Sequence, residues 1–115
     1  MTLAELTALL GRYTYRSSCE ADLQLAISSV LSKEEVSFLR EPILSPRDRP
    51  DFLVGDVVIE IKVDGSAPQV VRQLHRYAQL EKVAQILLVT TRQKHLCMPT
   101  ELSGKPLASL YVGRL

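Results

Sequence analysis

The run Arg49-Pro50-Asp51-Phe52-Leu53-Val54-Gly55-Asp56-Val57-Val58-Ile59-Glu60-Ile61-Lys62-Val63 leaves this chain little conformational choice. Two stretches of β-branched and aromatic residues flank Gly55-Asp56, and glycine at the first central position favours the type II′ turn of a tight antiparallel hairpin. A two-residue loop sets Val54 opposite Val57. Each step outward on one strand is then matched by a step on the other, which brings Asp51 opposite Glu60. Side chains alternate, so Phe52, Val54, Val57, Ile59 and Ile61 share an apolar face, while Asp51, Leu53, Val58, Glu60 and Lys62 share the other.

Opposed cross-strand residues have Cβ atoms roughly 4.5–5.5 Å apart, and like charges there destabilise a sheet unless something neutralises them. A divalent cation would do so. Mg²⁺ takes oxygen ligands and commonly only one or two carboxylates, with waters and substrate phosphate completing its shell. Lys62, on the same face two residues beyond Glu60, can orient a water or offset charge growing on a phosphate. The competing reading is structural: Asp51 caps the strand, Glu60 pairs with Lys62, and the face is solvated, as half-exposed sheets often are.

Around this hairpin the periodicity predicts helices and strands in a definite order. Thr2 with Glu5 forms a capping-box pattern ahead of a short helix carrying Leu3, Leu6, Leu9 and Leu10 and ending at Gly11. A second helix starts near Ser17 or Ser18, runs to about Leu31 and buries Leu23, Ile27, Val30 and Leu31. Glu20 lies in register with that stripe and is expected over the sheet, although Ser17-x-x-Glu20 is also a capping box. Val36 to Arg40 reads as a strand, and Pro42 to Pro50 as a loop into the hairpin. Asp64-Gly65-Ser66-Ala67-Pro68 supplies helix-start chemistry for a third helix reaching about Lys82 or Val83. Val70, Leu74, Tyr77, Ala78 and Leu80 form its inner face, with Gln73 at the edge pointing the same way as Tyr77. Gln85 to Thr90 is a buried central strand, and Leu107 to Val112 a final edge strand.

Helix with Glu20, strand, hairpin with Pro50-Asp51 and Glu60-Ile61-Lys62, helix with Gln73-x-x-x-Tyr77, buried strand: this series resembles the PD-(D/E)xK nuclease superfamily. Gln73 and Tyr77 resemble the helix motif of its RecB-like and phage exonuclease branches. In size the chain is also similar to small Holliday junction resolvases and stand-alone VRR-type phage nucleases, with no motif selecting either. The resemblance implies an α/β fold with a restriction-endonuclease-like αβββαβ core over about residues 17–91 of a single 1–115 domain, its mixed central sheet flanked by helices. It further implies that Asp51, Glu60 and the Ile61 main-chain carbonyl ligate Mg²⁺ or Mn²⁺, and that Glu20 joins directly or through water. Lys62 would position the nucleophile, with Gln73 and Tyr77 near the DNA and the lysine.

A net charge of +1 announces no nucleic-acid partner by itself, so a basic surface must come from local clusters. Arg40, Arg47 and Arg49 precede the site, Arg72, His75 and Arg76 lie on the outer face of the third helix, and Arg92, Lys94 and His95 follow the buried strand. Of these, Arg49, Arg72, Arg76 and Arg92 are the expected phosphate contacts; for any single one, ordinary solubilising charge is the alternative. Cys19 and Cys97 lack metal-ligand spacing and read as reduced thiols. With no signal-peptide core and no apolar run of transmembrane length, the protein is expected to be soluble and cytoplasmic, without membrane contact. The expected activity is metal-dependent phosphodiester hydrolysis, with DNA as substrate and RNA as an open alternative, and homodimerisation could supply substrate surface that so short a chain lacks. Two rivals stand beside it. One is a catalytically inactive nuclease-fold module for nucleic-acid binding or assembly; the other is a toxin-antidote or inhibitor-type interaction protein whose carboxylates are interface charges.

Overall fold

In the computed structural model, which describes residues 1–16 and 19–113, the turn at Gly55 organises the sheet. Gly55 takes φ +60° and Asp56 does not enter the positive-φ region, the sign pattern of a II′ turn. Strands β2 (Phe52–Val54) and β3 (Val57–Lys62) pair antiparallel, with Phe52 opposite Ile59, Leu53 opposite Val58 and Val54 opposite Val57. The expected register therefore holds, and Asp51 lies one residue ahead of β2.

Both faces of this hairpin are covered. Helices α1 (Leu3–Gly11) and α2 (Glu20–Lys33) pack on the face carrying Phe52, Val54, Val57, Ile59 and Ile61, joined there by Leu87 and Val89. On the other face α3 (Ala67–Ala78) sets Val70, Leu74 and Tyr77 against Leu53, Val58, Ile86 and Leu88. The face carrying Asp51 and Glu60 is thus not the solvated surface that the structural reading of those charges required. Strand β4 (Gln85–Thr90) lies parallel to β3, and its nearly continuous burial follows from having helices on both sides. The result is an α/β domain with a six-stranded mixed sheet in the order β1-β2-β3-β4-β6-β5. From α2 to β4 the elements run α-β-β-β-α-β. Among the described residues no helix is long and apolar enough to cross a membrane.

Four boundaries differ from those expected. The start of α2 and the Ser17 capping box lie outside the described residues, and the helix is described from Glu20 after Cys19. Strand β1 is only Leu39–Arg40, because the Val36 amide is committed to the Leu31 carbonyl at the end of α2 and both Glu35 and Glu41 adopt positive φ. Helix α3 stops at Ala78. The Gln79 and Leu80 amides tighten onto carbonyls three residues back, and the chain descends to bury Val83 and to give the Ala84 amide to the Asp56 carbonyl. Finally, the C-terminal strand β6 (Lys105–Tyr111) is interior rather than an edge: it lies parallel to β4, and β5 (Glu101–Leu102) pairs outside it. The reason is a two-residue hairpin at Ser103-Gly104, both at positive φ as a type I′ turn requires.

Candidate active site

Asp51 and Glu60 are held by a reciprocal exchange of hydrogen bonds across the β2–β3 junction. The Asp51 amide donates to Glu60 Oε1 at 3.1 Å, and the Ile61 amide donates to Asp51 Oδ2 at 2.7 Å. One further step of the register would set Pro50 against Ile61, and proline has no N–H to offer. Since the N–H and C=O of a strand residue point to the same side, the Ile61 carbonyl faces the gap beside Asp51 with no ladder donor from Pro50. Proline before the aspartate therefore leaves an oxygen available next to two carboxylates.

The remaining contacts fix the two acids in place. Glu60 is only 3% exposed. Its Oε2 lies 3.3 Å from Lys62 Nζ, and its Oε1 also accepts from the Tyr77 hydroxyl at 3.4 Å. Gln73 Nε2 donates to Tyr77 Oη at 2.9 Å, so the helix pair acts in series on Glu60. Gln24 Nε2 donates to Asp51 Oδ1 at 3.0 Å. Sequence reasoning missed Gln24, although its spacing of four residues from Glu20 on α2 put it on the same helix face. Glu20 itself accepts the Val63 amide at 3.1 Å, and Arg92 Nε donates to the Val63 carbonyl at 3.2 Å, tying both to the end of β3.

Burial is the first cause of the unusual acidity at this site. It pushes Asp51 up to about 6 against the opposing Ile61 N–H, with the charge of Glu20 adding to the rise. It pushes Glu60 up to about 7, with the Asp51 charge adding and Lys62 opposing. Tyr77 is raised by burial and then by the charges of Glu60 and Asp51, so it remains a proton donor to Glu60. A buried Glu60 and a half-buried Asp51 that repel each other beside a main-chain carbonyl are a hard-oxygen donor set, which suits Mg²⁺ or Mn²⁺ and lacks the imidazole and thiolate that zinc prefers. Among the described residues no group of three or more His, Cys, Asp or Glu side chains gathers as a metal cluster, although the charge of Glu20 reaches Asp51.

The basic residues divide. Arg49 pairs with Glu41 at 3.4 Å, and Arg76 Nε lies 3.1 Å from Asp48 Oδ1. Arg72 is exposed and Arg92 sits at the end of β3 as described. His95 is not on the surface with Arg92 and Lys94: in the 3-10 turn Gln93–His95 it is fully buried, and neither ring nitrogen reaches a hydrogen-bond partner. The residues leading into it, Arg92-Gln93-Lys94, are polar, which hid the turn that folds it inward. Cys19 and Cys97 are free and exposed. Comparison with protein-family models, curated proteins and solved structures finds no match to this chain.

Proposed function

We propose that this chain is a divalent-metal-dependent nuclease with a restriction-endonuclease-like αβββαβ core, hydrolysing phosphodiester bonds in DNA. The observation that carries the reading is the reciprocal pairing of Asp51 and Glu60, with Lys62 Nζ 3.3 Å from the second acid. Asp51, Glu60 and the Ile61 carbonyl would hold Mg²⁺ or Mn²⁺, with Glu20 joining directly or through water. When bound, the cation supplies charge compensation for the phosphate and lowers the pKa of an attacking water.

The chain's own residues do the positioning. Gln24 and the Ile61 amide hold the two oxygens of Asp51, while Tyr77, oriented by Gln73, keeps Glu60 Oε1 from swinging away. Lys62 keeps one side of its ammonium on Glu60 and has N–H donors left to orient the attacking oxygen or meet charge growing on the phosphate. Because both carboxyls hold their protons above the usual range, cation uptake must release protons.

Cleavage of DNA is expected with Mg²⁺ or Mn²⁺ and none in chelator. Asp51→Asn, Glu60→Gln and Lys62→Ala should each slow it by about a hundredfold or more while circular dichroism shows an intact fold. Full activity in any one of them would overturn the mechanism. A second reading, a nuclease-fold module without catalysis, is favoured by the absence, among the described residues, of a group of three His, Cys, Asp or Glu side chains gathered to hold a metal. Calorimetric titration separates the two: no Mn²⁺ uptake at millimolar metal, together with no cleavage of any DNA or RNA form, selects the inactive module.

A further inference from the structure

We infer that the outer face of α3 carries a second phosphate subsite, a cleft formed by Arg47, Arg72, His75 and Arg76 that takes a phosphate of a nucleic-acid strand away from the acid pair. The inference rests on the proposed nuclease reading for its choice of ligand. Its physical basis is separate.

The cleft has a volume of about 470 Å³, and Val71 completes its lining. Three arginines and a histidine line it. The acid bound to one of them is Asp48, which is buried and matched by Arg76 Nε at 3.1 Å. Among the described residues neither Arg47 nor Arg72 takes part in an ion pair, and both are exposed. The cleft therefore keeps an excess of positive charge after its internal pairing is complete.

It is also held in shape. Asp48 Oδ2 accepts from Ser45 Oγ at 2.7 Å, and main-chain bonds between Ser45 and Asp48 close the turn that presents Arg47. The Arg47 amide donates to Ser45 Oγ at 3.2 Å. On the far side, His75 Nε2 lies 3.4 Å from both Gln79 Nε2 and Ser103 Oγ. A guanidinium can meet two oxygens of a phosphate at once, which a single-point cation cannot.

Placement supplies the ligand. Gln73 and Tyr77 face the acid pair from the same helix whose opposite face bears Arg72, His75 and Arg76. A helix with its side chains is about 10–12 Å across, so a strand that reaches from the acid pair to the cleft has to cross at least the width of α3. One strand passing over α3 can occupy both positions. Contacts to phosphate alone carry no base preference.

The test is fluorescence anisotropy of 3′-labelled single-stranded and duplex oligonucleotides in chelator, comparing the wild type with Arg47→Ala/Arg72→Ala and with Arg12→Ala. Arg12 pairs with Glu34 on the α1–α2 side of the sheet and serves as the control. Loss of two phosphate contacts should weaken binding by about tenfold or more and reduce the slope of log affinity against log salt by about 1.4–1.8 between about 50 and 200 mM salt. The control should change neither. Paired substrates with a 5′-phosphate or 5′-hydroxyl identify the source: a loss confined to the former means a terminal phosphate, and an equal loss an internal diester. Either supports the cleft. An unchanged slope in the double variant, or no binding by the wild type, overturns it. Binding that depends on these arginines without any metal-dependent cleavage would leave the cleft standing and remove the nuclease reading, whereas cleavage with unchanged binding would do the reverse.

Discussion

At the residue scale, two carboxyl groups that must lose protons to grip a cation are held where burial favours keeping them. Asp51 rises from an ordinary 3.8 to about 6 and Glu60 from 4.5 to about 7. Between those limits the folded chain binds more protons than the unfolded one, so stability falls as pH rises. The contribution is complete below about pH 4 and gone above about pH 7. A tenfold change in proton affinity is worth about 1.4 kcal/mol, so the pair weakens the metal-free fold by a few kcal/mol at alkaline pH. Thermal melts in chelator should therefore show a lower Tm at pH 8 than at pH 5, and Glu60→Gln should flatten that slope. An equal slope in the variant would mean the acids are not the cause. The opposition of positions 51 and 60 was legible because a two-residue turn leaves no freedom of register. Gln24 and the buried His95 were not, since each depends on what a distant element places beside it.

At the scale of elements, the end of α2 shows why β1 is shorter than its sequence suggests. Glu35 at φ 57° donates its amide to the Ser32 carbonyl, and Val36 donates to the Leu31 carbonyl. This is a Schellman closure, with Val36 packing back onto the core beside Leu31. Glycine is the usual residue at that left-handed position, and glutamate there hid the helix stop from a reading based on glycine and proline. A side chain in this conformation costs about 1–2 kcal/mol, against about 0.5–1 kcal/mol for the greater entropy glycine loses on folding. Glu35→Gly should thus stabilise the domain by up to about 1 kcal/mol and raise Tm by a few degrees, read by chemical denaturation and melting. A lower Tm would show that the Glu35 side chain contributes more than its backbone strain removes. The longer, periodic elements were legible for the opposite reason: Leu23, Ile27, Val30 and Leu31 on α2 and the apolar run of β4 bury what their spacing presents.

At the scale of the whole molecule, β3 is the strand on which both cores and the acid pair meet. Ile59 and Ile61 point into the core under α1 and α2, while Val58 and Glu60 point towards α3, so the site is a polar interruption in a layer that is otherwise apolar. The α-β-β-β-α-β order was visible in hydrophobic periodicity, but the place of β6 inside the sheet was not, because Pro106 at its start and the Ser103-Gly104 turn read as loop chemistry. If the acid pair holds a cation as proposed, uptake relieves the repulsion between its carboxylates and is linked to the stability of the fold. Ligand that binds only the folded state adds RT ln(1 + [L]/Kd), about 2.7 kcal/mol at a hundredfold excess over Kd. Saturating Mn²⁺ at pH 8 should therefore raise Tm by several degrees and reverse the alkaline loss of stability. At pH 5, where protons occupy the same oxygens, the gain should be much smaller. Asp51→Asn should abolish the gain at both pH values, since it removes a charged ligand while keeping an amide of similar shape. An equal shift in that variant would place the cation elsewhere, and no shift in the wild type at millimolar metal would make the pair a structural feature of an inactive fold.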